Sequence, residues 1–180
     1  EGWQEYPYWS LEAKPHTDSY AQTVETVSWL LQDAVKRQLV SDVPVCSFLS
    51  GGIDSSVVTA IASRQLSSKG LTLNTFSFDF TNNDTCFQSN SFQPTRDRPY
   101  VDQVLALYPL HHTYLECDEA TLANLLKDAV RMKDLPGMTD VDASLLYFCG
   151  LVKQHNKVAL TGECADEIFG GYPWFYRDEL

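Results

Sequence analysis

Positive charge is scarce in this sequence: 13 Lys and Arg stand against 24 Asp and Glu, a formal net charge of −11. A nucleic-acid groove needs a concentrated basic surface to replace counterions, and here the few basic residues are scattered, so no nucleic-acid partner is expected. Long apolar runs are missing as well. None approaches the roughly 18 residues of a membrane span, and the first residues lack the charged-then-apolar layout of a signal peptide. No membrane partner is therefore expected, and the location that follows is cytoplasmic. Five cysteines (Cys46, Cys86, Cys117, Cys149, Cys164) are an odd number with no CxxC spacing, which leaves neither a disulfide framework nor a zinc site. Cys46, Cys117 and Cys149 are expected to pack as small apolar residues.

What is present is enough apolar content, 44% of 180 residues, for one domain with a real core. The chain is organised around Ser50-Gly51-Gly52-Ile53-Asp54-Ser55-Ser56. An apolar run, Val43 to Leu49, leads into it, and a helical pattern (Val57, Val58, Ile61, Ala62) leaves it. Strand, glycine turn and helix N-terminus together aim unpaired N–H groups and the positive end of a helix dipole at one small volume, which makes a phosphate site. The two glycines let an anion approach the backbone. The spacing is neither GxxxxGK[ST] nor GxGxxG.

The rest alternates between helical and strand periods. Residues 1–18 are aromatic and irregular and suit a lead-in lying on a neighbour. A capping box (Ser19, Gln22) opens a helix to about Leu39. Leu71–Phe80 alternates as a second strand, and the polar stretch Thr81–Asp97 is expected to be a mobile loop and a candidate lid. Pro99 at the first helical position opens a third helix, followed by a strand over His111–Cys117. Neighbouring strand residues point to opposite faces, so His111 and His112 do not chelate one ion. Asp118 caps a helix running to Lys133, and a fifth helix starts between Asp140 and Asp142 and runs to Asn156. Val158–Thr161 is a fourth strand, delivering Gly162-Glu163-Cys164-Ala165-Asp166-Glu167. This order predicts an α/β fold, a parallel sheet with helices on both faces and a ligand crevice beyond the strand ends. If strands one and four are neighbours where strand order reverses, the two motifs face each other. Asp54 and Asp166 are then the natural pair for a metal, with helix capping as the alternative for each. Glu163, just past a strand end, would project into the crevice.

Two stretches, SDVPVCSFLSGGIDSS (Ser41 to Ser56) and LTGECADEIFGGY (Leu160 to Tyr172), resemble the synthetase domain of the asparagine synthetases. The SGGxDSS loop is similar to that of the N-type ATP pyrophosphatases. The resemblance implies the adenine nucleotide alpha hydrolase-like (ATP pyrophosphatase) fold, with residues 1–18 a lead-in from a missing N-terminal domain and 19–180 the synthetase domain, truncated at its C-terminal side. It implies ATP and Mg2+ as cofactors. Ser50, Gly51, Gly52, Asp54 and Ser55 would bind pyrophosphate, and Phe48, Phe78, Thr161 and Gly162 would surround adenosine. Asp54 and Asp166 would hold Mg2+, Glu163 would serve acyl transfer, and Thr139 is a weak candidate for forming the intermediate. The reaction implied is attack of the aspartate β-carboxylate on ATP to give β-aspartyl-AMP and pyrophosphate, then displacement of AMP by ammonia. Implied partners are aspartate, ammonia, an N-terminal glutaminase domain and a second copy in a homodimer. Cys164 departs from the family's usual glycine, and no arginine occurs between Asp134 and Asp142. A β-lactam synthetase-like or peptide-cyclising ligase, and a nucleotide-binding fragment without turnover, remain the alternatives.

Overall fold

The structure is a computed structural model that describes residues 2–89 and 95–177, without the side chains of residues 139 and 140. Residues 2–18 form no helix or strand, and their aromatic side chains are exposed, Trp3 and Tyr8 fully so. Helix α1 (Tyr20–Gln38) starts on the expected capping box: Gln22 N donates to Ser19 Oγ at 3.4 Å, and Ser19 N donates to Gln22 Oε1 at 2.9 Å. Then follow β1 (Val45–Phe48), α2 (Ile53–Ser67), β2 (Leu73–Phe80) and a short α3 (Asn83–Cys86). After them come α4 (Arg98–Leu107), β3 (Leu110–Cys117), α5 (Glu119–Lys133), α6 (Thr139–Val152), β4 (Val158–Leu160) and α7 (Ala165–Phe169).

All strand pairs are parallel, in the order β3-β2-β1-β4. The chain climbs from β1 to β3 on one side and then returns past β1 to place β4 on the other. Right-handed crossovers on such a path put α2 and α4 on one face and α5 and α6 on the opposite one. Period-two alternation sorts the strands accordingly. Leu73 packs with Val35 of α1 and Ala62 of α2 on one face, while Cys46, Phe48, Phe76 and Phe78 pack with Val152 of α6 on the other. Full burial of a Leu or Phe side chain is worth about 1.5–3 kcal/mol, so these two clusters hold the layers together.

Several boundaries differ from the sequence expectation. The polar stretch after β2 is not wholly irregular: Asp79 Oδ1 accepts from Asn83 Nδ2 at 2.7 Å and from Phe80 N at 2.8 Å, which anchors α3 to the strand end. Residues 90–94 of that stretch lie outside the described residues. Helix α4 begins one residue before Pro99. Helix α6 begins earlier than Asp140 and stops at Val152. Asn156 lies beyond its end, where its Nδ2 donates to Pro44 O and its Oδ1 accepts from Asn74 Nδ2, each at 3.1 Å. That nearly fully buried amide is used to tie the turn before β4 to the sheet. Cys46 and Cys117 are buried as expected, and burial pushes the Cys46 thiol up to about 11. Cys149, expected in the core, is exposed on α6, whose inward face is taken by Phe148 and Val152.

Candidate active site

The β1/β4 pairing brings the two sequence motifs together. The Ser50–Ser55 turn follows β1 and the Thr161–Glu167 segment follows β4, at the place where strand order reverses. Both line one cavity of about 480 Å³ above the C-terminal strand ends. Phe48, Ser50, Gly52, Asp54, Ser55, Phe78, Thr161, Gly162, Glu163 and Asp166 all border it.

The loop is shaped by its own hydroxyls. Ser50 Oγ and Ser55 Oγ lie 3.0 Å apart, Ser50 N donates to Ser55 Oγ at 3.2 Å, and Ser55 Oγ donates to Gly52 O at 3.2 Å. These bonds close the turn at the start of α2, whose first N–H groups have no partner inside the helix. The two glycines have different jobs. Gly51 adopts φ +83°, and a Cβ there would stand 2.8 Å from Asp97 O and from Tyr100 Cβ, so Gly51 is needed for the turn and for the approach of α4. It does not border the cavity. At Gly52 the nearest neighbour of such a Cβ is Ser50 Oγ at 3.4 Å, so this is the glycine that keeps the mouth of the loop open.

Asp54 is not a cap. Gly52 occupies the N-cap of α2 and no side chain caps it, so Asp54, the second helical residue, keeps its carboxylate for the cavity. Asp166 likewise sits at the second position of α7 behind Cys164. The Cys164 backbone is left-handed (φ 69°), a conformation that glycine adopts freely and that costs another residue about 1–2 kcal/mol. Gly162 fits against the loop: a Cβ there would lie 2.9 Å from both Asp54 Cβ and Ser55 N. Glu163 is exposed at the rim, its N–H donating to Thr161 Oγ1 at 3.4 Å. Beyond α7, Tyr172 donates its hydroxyl to Glu167 Oε1 at 3.0 Å, and that bond raises the Tyr172 phenol above its ordinary range.

An aromatic wall closes one side. Phe48 meets Phe78 edge-on at 4.8 Å, and Phe78 stacks on Phe148 at 4.4 Å and 8°. A flat apolar surface beside an anion loop suits a nucleobase next to its phosphates. Thr139 is the first residue of α6, and its side chain lies outside the described residues. Among the described residues, no group of three or more His, Cys, Asp or Glu is arranged to hold a metal ion. Residues that sequence reasoning missed include Asp79, Arg98, Tyr114 and Leu145, all of which border the cavity. Arg98 carried a signal: a cation at the first position of a helix opposes the helix dipole and asks for another reason.

A four-stranded parallel sheet with helices around it, whose glycine turn and acidic segment face each other across the switch point, is an α/β fold of the ATP pyrophosphatase type. The family model described as asparagine synthase matches residues 26–180, and the chain belongs to the asparagine synthase family. It is 50% identical over its whole length to asparagine synthetase [glutamine-hydrolyzing] 3 of Bacillus subtilis. It is 33% identical over 96% of its length to asparagine synthetase [glutamine-hydrolyzing] 1 of the same organism. It is also 31% identical over 98% of its length to the amidase chyE of Penicillium rubens. The chain spans 30%, 25% and 27% of the lengths of these three relatives.

Proposed function

We propose that this chain is the adenylating part of an asparagine synthetase. The reading is carried by one observation: in a chain of this family, the Ser50–Ser55 loop and the Thr161–Glu167 segment border a single cavity. In the first step an aspartate β-carboxylate oxygen attacks the α-phosphorus of ATP, the bond to the β-phosphate oxygen breaks, and pyrophosphate leaves. In the second, ammonia attacks the acyl carbon of β-aspartyl-AMP, the carbon–oxygen bond to AMP breaks, and the amide nitrogen loses its proton.

The α2 N–H groups and the Ser50 and Ser55 hydroxyls would take the charge that develops on the leaving pyrophosphate. Phe48 and Phe78 would hold the adenine face, and the Thr161-Gly162 backbone the sugar side. Glu163 at the rim is placed to accept the proton of the attacking amine. Thr139 is kept as a candidate for forming the intermediate. Asp54 and Asp166 border the same cavity with hard oxygen donors, which fits Mg2+, an ion commonly held by one or two carboxylates together with phosphate oxygens and water. Bound there, Mg2+ would neutralise charge on the phosphates. Residues 2–18, whose aromatic side chains are exposed, suit the junction to an N-terminal glutaminase domain supplying ammonia. Among the described residues no helix is long and apolar enough to cross a membrane, and a reaction that consumes ATP would run in the cytoplasm.

The test is release of AMP and pyrophosphate from Mg-ATP with and without aspartate and ammonium, with Asp54→Asn as control. Aspartate-dependent release that Asp54→Asn abolishes is the expected result. Release that aspartate leaves unchanged would discard the reading. The same AMP-forming step on a different carboxylic acid is the second reading, which a panel of acids in the same assay would reveal.

A further inference from the structure

The cavity is acidic to a degree that its proposed ligand does not suit. Asp54, Asp79, Asp97, Glu163, Asp166 and Glu167 border it, and Arg98 is the one Lys, Arg or His among its described lining residues. Metal ions offset part of that charge for a triphosphate, yet a cation bordering this wall has an evident electrostatic use. Helix energetics do not account for Arg98, because the first position of α4 is where a cation is disfavoured.

Its surroundings hold it in readiness. The guanidinium carbon lies 4.1 Å from the centroid of the Tyr114 ring, and the Tyr114 hydroxyl donates to Asp102 Oδ1 at 2.6 Å, so the ring is a fixed platform. The other partner, Glu116 Oε1, is 3.6 Å from Arg98 Nη1, and both side chains are about half exposed. An exposed pair at that distance is worth little and is readily exchanged. The start of α4 also abuts the anion loop, since Asp97 O stands 2.8 Å from where a Gly51 Cβ would be. Arg98 is therefore next to the loop that would receive phosphate, with most of its five donors uncommitted to Glu116.

We propose that Arg98, seated on the Tyr114 ring beside the Gly51 turn, binds the β- and γ-phosphates of the nucleotide and makes the crevice select a triphosphate over a monophosphate. A guanidinium can bind phosphate through two parallel hydrogen bonds, whereas an ammonium acts as a point charge. This rests on the reading of the crevice as an ATP site.

The experiment is calorimetric titration of the intact protein, in Mg2+, with α,β-methylene-ATP and separately with AMP. Arg98→Met is expected to weaken the triphosphate analogue by about tenfold or more, the worth of a hydrogen bond to a charged group, and to change AMP affinity less than about twofold. Arg98→Lys, which keeps the charge, is expected to fall between wild type and Arg98→Met. Glu116→Gln, which removes the competing carboxylate, is expected to leave the analogue bound as tightly as in wild type or more so. Equal losses for both ligands, or equal losses in Arg98→Met and Glu116→Gln, would show that Arg98 merely ties α4 to β3 and would overturn the proposal. An unchanged Arg98→Met overturns it alone, while a wild-type protein that binds neither ligand overturns the ATP reading with it.

Discussion

Under α2 the sheet is laced with hydroxyls, whereas under α6 it is aromatic. On the first face Ser47 Oγ and Thr59 Oγ1 lie 2.9 Å apart, both fully buried, Thr75 Oγ1 pairs with His112 Nδ1 at 2.9 Å, and Ser77 Oγ donates to Leu49 O. Small side chains such as Ala62 and Ser63 let α2 settle close to the strands, and the hydroxyl pairs specify one seating for it. On the second face Phe76, Phe78 and Phe148 fill the space with rings that continue into the cavity. The difference teaches a division of labour. The hydroxyl face fixes where the Ser50–Ser55 loop stands, because that loop is the start of α2, and the aromatic face supplies the apolar side of the cavity next to it.

The sharpest way to break this division is at Gly162, where the segment after β4 rests on the start of α2. Gly162→Ala would push a methyl group against Asp54 Cβ and the Ser55 backbone. A displacement of that kind is expected to lower turnover by about a hundredfold. Steady-state assay beside a thermal melt separates this from unfolding, since the loss should far exceed any change in Tm. On the aromatic face Phe148→Ala should cost about 3–5 kcal/mol in chemical denaturation and also weaken nucleotide binding. If stability falls and binding does not, the aromatic face is only core.

Thr59→Val probes the hydroxyl face with a smaller effect. It leaves Ser47 Oγ buried without its partner, expected to cost about 1–3 kcal/mol. Adding Ser47→Ala should recover part of that loss, and a double-mutant cycle showing simple additivity would mean that the pair does not couple. The smallest effect is electrostatic. Burial pushes the His112 imidazole below its ordinary value of 6.5; Asp102 opposes that shift and Arg98 reinforces it. Below 6.5 the unfolded chain takes a proton that the folded one resists, so stability is flat above that pH and declines as pH falls toward the folded value. His112→Gln should flatten the decline between pH 6.5 and 5, and an unaltered pH–stability profile would remove His112 from the account.

Much of the architecture was legible because it depends on near neighbours. The capping box at Ser19, the Asp118 cap whose Oδ1 accepts from Thr121 N at 2.7 Å, and the alternation Phe76, Phe78, Phe80 all involve residues at most four apart. The strand, glycine turn and helix around Ser50–Ser55 were legible for the same reason. Helix ends were less so: α6 stops at Val152 because the Asn156 amide is recruited by Asn74 and Pro44, distant partners that no local period announces. Cys149 was misplaced on similar grounds, since an apolar side chain within a helical stripe does not say which residues of that stripe face the sheet.

By itself the sequence determined which residues could do chemistry: the Ser50–Ser55 turn, the Gly162–Glu167 segment, the carboxylates and the strand and helix periods. Those are short-range properties of torsions, caps and side-chain types. Only the tertiary structure decided that β4 lies beside β1, with Cys46 Sγ donating to Val158 O across 112 residues, and so made one cavity of two motifs. It also decided that Gly51 meets α4 while Gly52 borders the cavity, and that Arg98 stands at the cavity beside the glycine turn. Such assignments depend on which surfaces the strand order brings together, and strand order is settled by packing two faces at once rather than by any single stretch of chain.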